Sequence, residues 1–180
     1  MCKILVISDV HGRLRDLRWV LQNETADAMF YLGDGLYDLN AALELRREPV
    51  PYPIYRVAGN CDVNYSEPSE GLAPFGGVLF FYTHGHHYGV KMGSERLAEC
   101  AGERGADVAL FGHTHRASWC AASARRPRCS TPAVCATAAA TASLRLKTAN
   151  AALPGRGCLN FERERYLPAR GRQHQPLGQA

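Results

Sequence analysis

The sequence lacks any Cys-x-x-Cys pair: its seven cysteines, at positions 2, 61, 100, 120, 129, 135 and 158, are odd in number and show no zinc-ribbon spacing. A disulfide framework is a poor fit to that pattern, and reduced thiols in a cytoplasmic protein are a better one. Long apolar runs are also missing, which speaks against a membrane span and against a membrane partner. The first residues, Met1-Cys2-Lys3 followed only by the short run Ile4 to Ile7, have neither the basic region nor the apolar length of a secretory signal, so none is expected. Acidic residues are scarce in the last third: residues 116–180 carry 2 Asp/Glu against 11 Lys/Arg, whereas residues 1–115 carry 15 against 10. The net charge of +4 therefore joins a segment of −5 to one of +9, and the two read as different kinds of polypeptide. At 180 residues the chain can bury one core and is short for two comfortable domains.

What residues 1–115 do contain is an alternation of apolar runs and helical periodicity. Residues 3–9, Lys-Ile-Leu-Val-Ile-Ser-Asp, read as a buried strand; Leu14, Leu17, Val20 and Leu21 recur at helical spacing; residues 28–34 read as a second strand. Residues 36–47 follow as a helix stopped by Pro49, and residues 54–58 as a third strand. Residues 78–83, set off by Gly76-Gly77, pair with residues 70–75 as a hairpin, and a helix over 94–104 leads into a strand over 107–111. That order implies an α/β layered domain with parallel strands first and a hairpin later.

Each strand ends in a polar cluster: Asp9-Val-His11, Gly33-Asp34, Gly59-Asn60-Cys61-Asp62, His84-Gly-His86 and Gly112-His-Thr-His115. Ligands of open α/β sheets bind beyond the carboxyl ends of the strands, so these residues are expected to converge. Asp, His and Asn offer oxygen and nitrogen donors suited to Mn, Fe or Zn rather than to soft thiolate chemistry. A lone strand-end His is more often a hydrogen-bonded structural residue, and a single Gly-Asp is usually a turn. Five clusters in one order supply seven donors, more than one ion needs.

The series Asp9-x-His11, Gly33-Asp34, Gly59-Asn60-x-Asp62, Thr83-His84-Gly85-His86 and Gly112-His113-x-His115 resembles the calcineurin-like metallophosphoesterase superfamily, and within it the small YfcE-type phosphodiesterases. The likeness runs from Lys3 to about Arg116. It implies a four-layer α/β/β/α sandwich in which Asp9, His11 and His115 bind one metal, Asn60, His84 and His113 bind the other, and Asp34 bridges them. It also implies two divalent ions, Mn foremost with Ni, Fe, Zn or Co as alternatives, and hydrolysis of phosphodiesters or small phosphoesters by hydroxide held between them. A retromer subunit similar to this family serves chiefly as a scaffold, so a non-catalytic binding module is the alternative that the resemblance carries.

One departure concerns the leaving group. Many members of the superfamily have His where Cys61 stands, and a thiol is the poorer partner for a departing alkoxide, which favours leaving groups of low pKa. Cys61 and His86 are the candidate substrate-side groups. Asp62 reads as a residue that orients its loop.

The boundary is set at residue 116: residues 1–116 hold every proposed ligand, and residues 117–180 form an atypical Ala/Arg-rich tail in which no strand is expected. That stretch holds four of the seven cysteines and the run Ala136-Thr-Ala-Ala-Ala-Thr-Ala142. A basic segment can attract nucleic acid, but without interleaved aromatics no specific nucleic-acid partner is expected. Members of the family carry an Asn-Pro-Gly-Ser motif after their last His pair, and none follows His115 here. The codons open to Cys129-Ser-Thr-Pro-Ala-Val134 can, read two bases later, spell Leu-Asn-Pro-Gly-Ser. A shift of reading frame between His115 and Cys129 accounts for that match and for the change of charge. It predicts a complete ligand set on a domain whose closing strands are missing or disordered, and a product without function is the extreme case.

Overall fold

The computed structural model describes residues 2–115 throughout and, beyond them, residues 118–121, 134–137, 140–146 and 164–165 as strands. In chain order the elements are β1 (Cys2–Ser8), α1 (Leu14–Asn23), β2 (Ala28–Tyr31), α2 (Leu36–Glu44), β3 (Ile54–Arg56), β4 (Glu70–Phe75) and β5 (Val78–Thr83). A single 3-10 turn (His86–Tyr88) follows, then α3 (Glu95–Glu103), β6 (Val108–Phe111), β7 (Ser118–Ala121), β8 (Val134–Thr137), β9 (Ala140–Leu146) and β10 (Glu164–Arg165).

The apolar run of β1 is buried on both faces, and its period of two sorts the side chains. Ile4 and Val6 face Phe30, Leu32, Phe80, Tyr82, Val108 and Leu110, which are drawn from both sheets. Leu5 and Ile7 face Leu17, Val20 and Leu21 of α1 and Leu36 and Leu39 of α2. On the other sheet, Phe81, Ala109 and Phe111 pack on Leu97 and Ala101 of α3. Each sheet is thus buried against the other on one face and against helix on the opposite face, which is what its apolar residues demand.

The first sheet runs β10-β9-β1-β2-β3 and the second β4-β5-β6-β8-β7. β1, β2 and β3 are parallel neighbours. The β4–β5 hairpin turns on Gly76 and Gly77, whose φ values of 58 and 78° suit a two-residue turn with both central residues left-handed. β5 and β6 are parallel, so β1, β2, β3, β5 and β6 each deliver one polar cluster just beyond a carboxyl end.

Two expectations need correction. The helix expected over 36–47 ends at Glu44: the Leu45 N–H still bonds Ala41, but the Arg46 N–H closes on Leu43, and the Arg46 side chain reaches away to the carbonyls of Leu21 and Glu48. The tail, expected to hold no strand, supplies β7 to β10. β9 pairs antiparallel along the whole of β1, from Cys2↔Leu146 to Ser8↔Ala140, and β8 pairs parallel with β6. The edges of two buried strands leave backbone groups that must be bonded, and that requirement overrides the weak strand propensity of alanine. The out-of-register reading of residues 129–133 lies outside the described residues.

Candidate metal centre

Five of the residues expected to converge adopt left-handed backbone conformations: Asp9 (φ 56°), His11 (45°), Asp34 (56°), His113 (66°) and His115 (53°). Among the described residues Asn64 is the one other non-glycine with positive φ. Such conformations cost roughly 1–3 kcal/mol each and persist where the surroundings over-determine them. Here they turn the chain back so that side chains from separate strands point at one another. Close backbone approach helps: a Cβ on Gly112 would lie 1.8 Å from Ser8 Oγ, and one on Gly33 would lie 2.4 Å from the Gly59 nitrogen. The two sheets are tied together at this spot by the His113 N–H, which donates to Asp9 Oδ2 at 3.0 Å, and by His84 Nδ1, which donates to the Leu32 carbonyl at 2.7 Å.

The seven side chains then fall into two overlapping groups. In the first, Asp9 Oδ1 lies 3.4 Å from His115 Nε2 and 3.9 Å from His11 Nε2, and the His11 and His115 rings stack with centroids 5.1 Å apart. In the second, His84 Nε2 lies 3.1 Å from Asn60 Oδ1, 3.1 Å from His113 Nδ1 and 3.3 Å from Asp34 Oδ2. Asp34 belongs to both, because the same Oδ2 is 3.7 Å from His11 Nε2 while Oδ1 accepts the Cys61 N–H at 2.8 Å. Asp9, Asp34 and His84 are buried at the floor; His11, Asn60 and His115 are exposed at the mouth.

The arrangement suits cations. With Nδ1 committed to Leu32, a neutral His84 ring turns a lone pair from Nε2 toward oxygen and nitrogen atoms that also carry lone pairs. Among the described residues no hydrogen-bond donor reaches the buried Asp9 Oδ1, an arrangement costly for a carboxylate unless a positive charge stands near. Burial disfavours the Asp34 carboxylate, but the hydrogen bonds from His84 and Cys61 outweigh it and hold its pKa well below the ordinary range. Burial likewise disfavours a charged His84, yet Asp34 outweighs that and the His84 pKa is raised. Both shifts point the same way: the pocket favours positive charge.

The rim residues behave differently. His86 is pushed down to about 4 by burial and by the neighbouring rings of His87, His84 and His113, so it is neutral at pH 7. His113 is lowered by burial, by His84 and by Lys91. The Cys61 thiol is exposed, and its pKa is raised by partial desolvation and by the carboxylates of Asp34, Asp62 and Asp9. Asp62 has the expected orienting part: Oδ2 accepts the N–H groups of Asp34 (2.7 Å) and Gly59 (2.8 Å), and Oδ1 those of Gly35 (2.9 Å) and Leu36 (2.8 Å). Sequence reasoning missed Asp38, which is buried in the first turn of α2 and accepts the Gly12 N–H at 2.8 Å beside His11. Its position three residues after Gly33-Asp34-Gly35 was the available signal. Lys91 had none.

Comparisons with known proteins give the family and the fold. Residues 2–129 match the model of the calcineurin-like phosphoesterase superfamily domain. The chain is 36% identical over 114 residues to the probable metallophosphoesterase YsnB of Bacillus subtilis (strain 168), a match that spans 62% of this chain and 63% of that protein. Its fold is similar to the crystal structure of a predicted phosphoesterase from Streptococcus pneumoniae TIGR4, with a TM-score of 0.63 at 23% identity over 82% of this chain and 84% of that one. It is also similar to Vps29 of Entamoeba histolytica, solved in complex with Zn2+, with a TM-score of 0.56 at 16% identity over 80% of this chain and 86% of that one. With a superfamily model covering most of its length and the five strand-end motifs gathered at one pocket, the chain belongs to the calcineurin-like phosphoesterase superfamily.

Proposed function

We propose that the protein is a metal-dependent hydrolase of phosphodiesters or small phosphoesters, with Asp9, His11 and His115 around one divalent ion, Asn60, His84 and His113 around a second, and Asp34 shared. The observation that carries this reading is the convergence of nitrogen and oxygen atoms from separate strand ends on His84 Nε2 and Asp9 Oδ1, a crowding of donors that a bound cation would satisfy. Bound there, a pair of divalent ions would supply the charge that lowers the pKa of a water and holds phosphoryl oxygens, Mn being the ion expected first.

The chain's own residues supply the positioning. The Cys61 N–H fixes one oxygen of Asp34 and thereby aims the other between the two groups. The Leu32 carbonyl fixes the tautomer and orientation of His84, as an outer partner does for a metal-bound imidazole. His86 and Cys61 stand at the mouth as candidate hydrogen-bond partners for the leaving oxygen. A neutral imidazole and a thiol are weak acids for that task, so aryl esters should turn over faster than alkyl esters. The substrate is taken to be a small molecule; neither a nucleic acid nor a membrane enters this reading, and no helix among the described residues is long and apolar enough to cross a membrane.

The test is metal content together with turnover of bis(p-nitrophenyl) phosphate and p-nitrophenyl phosphate by the wild type and by Asp34→Asn. Loss of the shared carboxylate should cut Mn2+-dependent turnover by about 10²-fold or more. A variant as active as the wild type would defeat the catalytic reading and favour the scaffold reading, which draws on the likeness of fold to Vps29.

A further inference from the structure

A third group of donor atoms overlaps the two already described. Cys61 Sγ, a ring nitrogen of His11 and a carboxylate oxygen of Asp34 all lie within 4.8 Å of one another, and Cys61 and His11 are both exposed at the mouth. The sulfur is held in place from two sides. Its own backbone N–H is bonded to Asp34 Oδ1 at 2.8 Å, and the Asn60 amide donates Nδ2–H to Sγ at 3.2 Å. Asn60 therefore turns its oxygen to His84 and its nitrogen to the cysteine.

We infer that Cys61, His11 and Asp34 form a sulfur-containing ligand set by which the centre captures thiophilic divalent ions, such as Co2+, Zn2+ or Cd2+, differently from Mn2+. The inference rests on the metal-centre reading and adds a selectivity to it. Hard ions such as Mn2+ take the oxygen and nitrogen donors and leave the thiol free at the mouth. Softer ions gain a sulfur bond there, with the thiol proton released to solvent. Ligation of the sulfur would also remove the thiol from the substrate side, so a softer ion should bind more tightly and support less turnover.

Cobalt reports sulfur directly. The metal-free full-length chain is titrated with Co2+ and followed in the visible, where d–d bands count bound ion, and in the near ultraviolet, where a sulfur-to-cobalt charge-transfer band marks a thiolate ligand. The wild type should show both; Cys61→Ser should keep the visible bands and lose the charge-transfer band, whereas Cys100→Ser should keep both. Cys61→Ser should also bind Cd2+ at least about tenfold more weakly, with Mn2+ affinity changed less than about twofold. Visible bands without a charge-transfer band in the wild type, or a charge-transfer band that survives in Cys61→Ser, would overturn the sulfur ligand set alone. Absence of the visible bands at saturating Co2+ would overturn the metal centre itself, and this inference with it.

Discussion

Asp34 uses its two oxygens for different ends, one tied to a backbone N–H and the other left facing His11 and His84. Such division of labour depends on how closely the Gly59 backbone approaches. A Cβ at Gly59 would lie 2.1 Å from Asp34 Oδ1 and 2.5 Å from the Asp34 nitrogen, inside any tolerable contact and against backbone that cannot swing away. Gly59→Ala should therefore cost about 1–3 kcal/mol of stability in urea unfolding and weaken Mn2+ binding by about tenfold, because the carboxylate must rotate off its aim. Unchanged Mn2+ affinity would show that the carboxylate is not held by this contact. The candidate ligands were legible in the sequence as polar residues that follow apolar runs. The left-handed backbones of five of them were not, since a strained Asp or His looks the same in sequence as a relaxed one.

Elements are held to the site by carboxylates that sequence patterning marks only as polar. Asp62 gathers four N–H groups, two of them at the start of α2, where backbone donors have no helical partner. In Asp62→Asn one oxygen becomes a donor and faces N–H groups, which should cost about 2–3 kcal/mol, read as a lower urea midpoint at unchanged slope. A second tie joins the His86–Tyr88 turn and α3 to β4. Arg104 lies 2.8 Å from Glu70 and donates to the Tyr88 hydroxyl at 3.3 Å; that hydroxyl in turn donates to Glu70. Burial raises the Glu70 pKa, but the bonds from Tyr88 and Arg104 outweigh it and leave the carboxyl below its ordinary value. A carboxylate lowered in this way contributes stability that is complete above its unfolded pKa, about 4.3, and is lost as pH falls through the folded value. Glu70→Gln should thus melt lower at pH 7 and lose less on acidification below about pH 4.3 than the wild type. Parallel melting curves across that range would refute the tie. Helix α1 was readable from its apolar spacing, whereas the end of α2 was not, because the Arg46 side chain turns to the carbonyls of Leu21 and Glu48.

At the scale of the molecule, all seven proposed ligands precede residue 116, while the strands that cover the open edges of β1 and β6 come after it. The first part was legible because strands buried on both faces and amphipathic helices leave a periodic record. The second was not, because pairing along β9 and β8 answers to the edges of β1 and β6 rather than to any pattern of its own. Termination after residue 116 should leave both edges bare and give aggregated protein, since unpaired edges next to a large apolar core invite strand addition. The shift of reading frame inferred between His115 and Cys129 makes a finer claim. A version whose gene is rejoined to read Leu-Asn-Pro-Gly-Ser in place of the residues from Cys129 onward should bind the same number of metal ions, because no ligand changes. It should also melt at a higher temperature and stay soluble at higher concentration, because its closing strands would be chosen for the sheets they cover. Equal melting and equal solubility of the two versions, or fresh sequencing of the gene that finds the given frame unbroken, would rule the shift out.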